Sequence, residues 1–222
     1  MKIISLKNID KAFEKNQVLS EFNLDIEEGE FVCIMGASGS GKSTLLNIIG
    51  LLDRPDSGMV TINNKINPKI NSREGIYLLR NVISYLFQNY GLVESETVYY
   101  NLKLAMRFLR LNKKEKTKQI EKALEGMGLE KLINRKVYCL SGGEQQRVAL
   151  AKVMLKPSRI ILADEPTGSL DSGNKEIVMQ FLKTQNKEGK TVVLVTHDDT
   201  IKKYASRIIT IRKPIGGISY EI

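Results

Sequence analysis

Three glycines and one lysine crowd into nine positions, Gly36-Ala37-Ser38-Gly39-Ser40-Gly41-Lys42-Ser43-Thr44. The spacing G-x-x-x-x-G-K-[ST] is that of a phosphate cradle when it follows a strand and opens a helix. Glycine lets the backbone fold tightly and turn its N–H groups inward as an anion nest. A helix starting at that point adds the positive end of its dipole. Lys42 then reaches the β- and γ-phosphates, and the Ser43 hydroxyl coordinates Mg²⁺. A Gly-rich turn with no ligand has no use for a lysine there.

A second candidate is the acidic pair Asp164-Glu165, which ends the apolar run Ile160-Ile161-Leu162-Ala163. Asp164 is placed to hold a metal shell. Glu165, one residue on, points elsewhere and could polarise water for in-line attack on a γ-phosphate. An acidic pair before Pro166 can also serve as a helix cap. A third candidate is Ser141-Gly142-Gly143, ahead of a helix rich in Gln and Arg. It reads either as another anion-facing helix start or as a plain N-cap on Ser141. One nucleotide has no evident need of two such ends.

The elements that must position these groups alternate. Residues 3–9, 18–26, 31–35 and 59–62 read as strands, and 31–35 is apolar throughout, as in a strand buried on both faces. A helix is expected over 43–52, stopped by Asp53-Arg54-Pro55. The middle is helical: Val98, Leu102, Ala105, Met106 and Leu109 share one face, and Ile120, Ala123, Leu124 and Met127 share another. A third helix over 145–155 ends at Pro157. The chain then returns to strand (160–163), helix (174–185) and strand (191–195), closing with a hairpin from 208–211 and 216–220. Such alternation implies α/β architecture, a parallel sheet covered on both faces.

Together, the loop at Gly36, the acidic pair and Ser141-Gly142-Gly143 resemble the nucleotide-binding subunits of ABC transporters, in order and spacing, over essentially the whole chain. The resemblance implies a P-loop NTPase (RecA-like) core of mostly parallel sheet. To it are added an N-terminal antiparallel β subdomain and an inserted α-helical subdomain. It implies one domain over 1–222, with lobes 1–92 and 156–222 forming the core and 93–155 the helical lobe. It further implies an ATPase using ATP and Mg²⁺. Phe13 stands where an aromatic stacks on adenine, a place the family more often gives to Tyr; alternatively Phe13 is a strand-end core residue. Gln88 matches the glutamine that touches Mg²⁺ and relays to the membrane partner. Ser141, Gly142 and Gly143 match the signature that binds the γ-phosphate held by another subunit. Asp171, in Ser169-Leu170-Asp171, matches the D-loop, with Ser where Ala is usual. His197, the only histidine, matches the switch histidine. Asp164 and Glu165 become metal ligand and catalytic base.

This resemblance resolves the two helix ends by pairing two copies head to tail, each ATP clamped between one copy's loop and the other's Ser-Gly-Gly. Residues 47–55 and 163–171 are similar to a subgroup of macrolide exporters, lipoprotein-release ATPases and antimicrobial-peptide resistance transporters. Residues 87–94 are similar to exporters of lactococcin-972-type bacteriocins. The expected partners are a second copy of the chain and integral-membrane permease subunits, with the chain peripheral on the cytoplasmic face of the plasma membrane.

Composition bounds the alternatives. The net charge is +9, and residues 102–136 carry 11 Lys/Arg against 4 Glu, so this segment alone supplies +7. Those charges form either a solvated helix face or a surface held near an anionic membrane. Aromatics are not interleaved among them, which disfavours a nucleic-acid platform built on base stacking. A nucleic-acid or cell-division ATPase of the same family is the competing function. Its relatives carry tandem domains, coiled-coil inserts or zinc cysteines, and here Cys33 and Cys139 stand alone. A module that merely binds ATP would not need Glu165.

Overall fold

The computed structural model describes residues 1–14, 16–168, 170–211 and 220–221. Two sheets carry the molecule. The first is antiparallel, ordered β2-β1-β4-β5 from β1 (Lys2–Phe13), β2 (Asn16–Glu27), β4 (Ser57–Ile62) and β5 (Lys65–Ile66). The second is ordered β10-β9-β3-β8-β7-β6, from β3 (Phe31–Met35), β6 (Ile83–Leu86), β7 (Ile160–Asp164), β8 (Thr191–Thr196), β9 (Arg207–Ile211) and β10 (Tyr220–Glu221). All its pairings are parallel except β9 with β10, where Tyr220 faces Ile211. Residues 216–219 of the expected hairpin lie outside the described residues.

Alternation along β3 assigns its faces. Val32 and Ile34 point into a core shared with the antiparallel sheet and α1 (Lys42–Ile49). Phe31, Cys33 and Met35 point into a second core beneath α5 (Gly142–Leu155) and α6 (Ser172–Lys187). Both faces are dry, which is why the run is apolar throughout. A third core holds α3 (Val98–Ala105) and α4 (Lys113–Glu125) against α5 through Leu102, Ile120, Leu124 and Val148. This helical lobe is the crossover between the adjacent parallel strands β6 and β7.

Several bounds differ from expectation for local reasons. Helix α1 stops at Ile49 because Leu51 takes φ 56° and the Leu52 N–H bonds back to the Asn47 carbonyl, a left-handed terminus. Helix α3 stops at Ala105, although Met106 stays buried and Leu109 packs on the same core. Helix α5 starts three residues early because Ser141 caps it. Helix α2 (Arg73–Asn81) was not expected. Only Gly75 and Leu78 of it are buried, and Ser72 caps it.

Candidate functional site

Strand β3 delivers the phosphate loop, and α1 begins where the loop ends. Its N-cap is Gly41, at φ 94°, where a Cβ would lie 2.9 Å from the Val18 side chain. No other residue type meets both conditions without strain. No side chain caps α1 and its first turn holds no acid, so its leading N–H groups face the loop cavity. The Ser40 hydroxyl is buried and finds no partner among the described residues. Lys42, 7% exposed, turns its ammonium onto the carbonyls of Gly36 (2.8 Å) and Ala37 (2.9 Å). Those two bonds stand in for phosphate oxygens, and a bound nucleotide has to outcompete them.

Around this loop lies a cavity of about 610 Å³ lined by Phe13, Asn16, Val18, Ser38, Gly39, Gly41, Lys42, Ser43, Thr44, Gln88, Glu165 and His197. That volume suits a nucleotide. Phe13 is half exposed, so it is no core residue, and the Lys11 ammonium sits 5.0 Å from its ring centroid. Lys11 is in turn anchored by Asp53 at 2.9 Å, which leaves the opposite ring face for a base.

Strand β7 lies one strand away from β3, across β8, and brings Asp164 to the loop. The Ser43 hydroxyl donates to Asp164 Oδ1 at 2.9 Å. Burial raises the Asp164 pKa above the ordinary carboxylate value, partly offset by that hydrogen bond and raised again by the neighbouring Glu165. A hydroxyl, a half-buried carboxylate and the Gln88 amide form an all-oxygen donor set that suits a hard cation such as Mg²⁺.

Glu165 ends the strand in a left-handed conformation, φ 44°, unusual outside glycine. Its N–H bonds the Val195 carbonyl at 3.0 Å. The carboxylate is gripped at both oxygens. Oε1 lies 2.8 Å from His197 Nδ1, and Oε2 accepts from the Thr196 hydroxyl at 3.1 Å. The His197 side chain is 69% exposed, so it can turn without disturbing the core.

Ser141, Gly142, Gly143 and Asp171 do not line this cavity. Ser141 caps α5 in a capping box. Its N–H and its hydroxyl both donate to Glu144 Oε2 at 2.8 Å, and the Glu144 N–H returns to Ser141 Oγ at 3.4 Å. Those bonds hold the Glu144 carboxyl below its ordinary pKa. Asp171 caps α6, accepting from the Asn174 N–H at 3.0 Å. Ser169 lies outside the described residues.

The family profile described as ABC transporter matches residues 19–168. The chain belongs to the ABC transporter family. It is 42% identical to the ABC transporter ATP-binding protein MJ0796 of Methanocaldococcus jannaschii, over 95% of this chain and 93% of that protein. It is 41% identical to the macrolide export ATP-binding/permease protein MacB of Campylobacter jejuni, over 95% of this chain but 33% of that protein. The chain thus spans about a third of that exporter's length. A dimeric structure of the cassette MJ0796 in a post-hydrolysis state, bound to ADP and Pi, superposes with TM-score 0.87 at 39% identity, covering 98% and 97% of the two chains. This ABC cassette is therefore an ATP-binding ATPase with a P-loop NTPase fold.

The sequence did not single out Thr196, which holds Glu165, or Asn16 and Val18, which line the cavity. Thr196 had a signal, a hydroxyl just before the single histidine at the end of an apolar strand. Asn16 and Val18 had none.

Proposed function

We propose that the cassette hydrolyses ATP between two copies of itself and thereby drives a separate membrane permease of exporter or mechanotransmission type. The cargo class is peptide, bacteriocin, antibiotic or lipoprotein. One observation carries the two-copy reading. Ser141, Gly142 and Gly143 do not line the cavity that holds the phosphate loop, so this chain alone does not bring them to a γ-phosphate there. A second copy, turned head to tail, supplies them.

In that arrangement Phe13 stacks the adenine. The loop N–H groups and Lys42 carry the phosphate charge, and Lys42 exchanges its two carbonyl bonds for phosphate oxygens. Ser43, Asp164 and Gln88 are the residues that would hold Mg²⁺, which supplies charge neutralisation at the β- and γ-phosphates when bound. Glu165 accepts the proton of the attacking water once His197 turns from it to the γ-phosphate. Loss of that phosphate removes the link to the partner's Ser141, and the copies part.

Among the described residues no helix is long and apolar enough to cross a membrane. The permease supplies the spanning segments, and the cassette works on its cytoplasmic face. A groove of about 330 Å³ beside the Gln88 segment supports this. Its walls include Leu52, Tyr85, Phe87, Leu104 and the half-exposed Phe108, with Arg80, Lys152 and Lys156 and no acidic residue. Lys152 also donates to the Gly91 carbonyl at 2.5 Å, joining the groove to the segment after Gln88. An amphipathic permease segment fits it, and the groove touches both sides of Gln88 in the chain, through Phe87 and Gly91.

The test is complementation between inactive copies. Lys42→Ala and Ser141→Arg chains, each inactive alone, are mixed and ATP turnover measured. The clamp predicts partial recovery, because a mixed pair contains one site with an intact loop and an intact Ser141. No recovery at any ratio contradicts it.

A further inference from the structure

The face of α5 that follows Ser141 is wired to the hydrolytic pair of its own chain, and the wiring passes through Asn174. Asn174 lies in the first turn of α6. Its side-chain amide donates to Asp171 Oδ2 at 2.5 Å and accepts from Arg147 Nη1 at 3.1 Å. A carboxylate on one side and a guanidinium on the other fix the amide's orientation, since the flipped form would oppose like with like. Gly143 lies against the same amide: a Cβ there would sit 2.8 Å from Asn174 Nδ2 and 3.0 Å from Oδ1. Its φ is not in the left-handed region, so what a side chain at 143 would disturb is the placing of the Asn174 amide, not the backbone.

From α6 the path continues to Glu165. Lys175 pairs with Asp198 at 2.7 Å and pulls its carboxyl down to a pKa of about 2. The Asp198 N–H bonds the Thr196 hydroxyl at 3.1 Å, and that hydroxyl holds Glu165 Oε2. A second, shorter link runs from Gln146 on α5 to the Pro166 carbonyl at 3.1 Å, both groups buried.

We infer that Asn174 is a positioning residue that couples the two ATP sites of the dimer. This rests on the clamp proposed above. The Ser141 segment of one copy meets the partner's γ-phosphate, while the Glu165 of that copy serves its own site. When α5 is pulled toward the partner's nucleotide, Gly143 and Arg147 carry Asn174 with them. Asn174 moves Asp171 and the start of α6, and Lys175 passes the shift to the strand end that sets Glu165. Each site thereby senses the occupancy of the other, and hydrolysis is cooperative in ATP.

The test is the ATP dependence of turnover in the purified dimer. Two coupled sites give a Hill coefficient approaching about 2 in the wild type. Asn174→Leu keeps the bulk against Gly143 and removes both polar links; Asn174→Asp keeps the Arg147 link but sets two carboxylates against each other. Both are expected to lower the Hill coefficient clearly below the wild-type value while the ATP-driven pairing keeps it above about 1, with ATP affinity of the single chain unchanged. Arg147→Ala combined with Asn174→Leu adds no further loss of cooperativity, as residues in one network require. A cooperative wild type with Asn174→Leu or Asn174→Asp equally cooperative overturns the inference and leaves the clamp standing. So does a fall in single-chain ATP affinity that accounts for the lost turnover, because Asn174 would then be merely structural. A wild type with no cooperativity removes the clamp itself.

Discussion

The two helix starts proposed to hold one γ-phosphate are built in opposite ways. Helix α1 begins on a glycine with no side-chain cap and no acid in its first turn. Helix α5 begins on Ser141 in a complete capping box, with Glu144 bonded to both the N–H and the hydroxyl of Ser141. The first end leaves its donors unspent and depends on the ligand to satisfy them. The second spends the Ser141 N–H and hydroxyl on the Glu144 carboxylate and the Glu144 N–H on Ser141 Oγ, so a phosphate arriving from the partner must displace or share with Glu144. In the uncharged extreme both ends would be equivalent positive poles repelling each other; here Glu144 neutralises one of them. The teaching is that the loop end is made for affinity and the signature end for conditional contact, weak until a second copy brings a full phosphate charge to it.

The largest effects should come from removing either end. Ser141→Arg fills the signature end with a long cation; ATP turnover is expected to fall by roughly 10²- to 10³-fold, the scale for losing a donor to transition-state charge. ATP affinity of the separate chain, measured by calorimetry, should change little, because Ser141 does not touch that cavity. Equal loss of affinity would erase the division of labour between the two ends. Lys42→Ala does the reverse. It should weaken ATP binding by on the order of 10²-fold through two lost charge-assisted bonds, and affinity within twofold of wild type would break the comparison from the other side.

The far ends of the two helices differ as well. Helix α1 finishes on a backbone turn at Gly50, whereas α5 is closed by Lys156, whose ammonium donates to the Ile83 carbonyl at 2.6 Å. Burial, with Lys152 beside it, lowers the Lys156 pKa from 10.5 to about 8. Between those values the unfolded chain binds the extra proton, so stability rises with pH across that window, and below pH 8 the burial cost is fully present. Lys156→Met should therefore gain on the wild type at pH 7, by on the order of 2 kcal/mol, and lose that gain toward pH 10. Denaturant unfolding at the two pH values reads it; a pH-independent difference would show that Lys156 titrates normally.

The smallest effect sharpens the comparison most. Glu144→Gln keeps the capping geometry and removes the charge. Half-maximal dimerisation in a hydrolysis-deficient background should then need about two- to fivefold less ATP, the scale of one charge at a helix terminus. A shift toward more ATP would mean that the Glu144 carboxylate assists the clamp instead of competing with it.

How much of this was legible in the sequence depends on how local the cause is. The phosphate loop and its flanking strand were readable because glycine spacing, lysine and an apolar run act within twenty residues. The capping box at Ser141 and Glu144 was half readable: the sequence left Ser141 open between an N-cap and an anion-facing helix start, and the cap is present, closed by Glu144. The grip of Thr196 and His197 on Glu165 spans about 31 residues and exists only because β7 and β8 are neighbours. Asn174 looked like any polar residue in a helix; Asp171 is a local partner, but only the packing of α5 against α6 adds Arg147 on the other side of its amide. Helix α2 escaped for another reason: it is nine residues long and buries only Gly75 and Leu78.

The most direct measurement is the mass in solution of the Glu165→Gln chain, by light scattering or sedimentation, with and without saturating Mg–ATP. The account predicts a monomer without nucleotide and a dimer with it. A chain that stays monomeric at saturating nucleotide, alone and together with its permease, would contradict it.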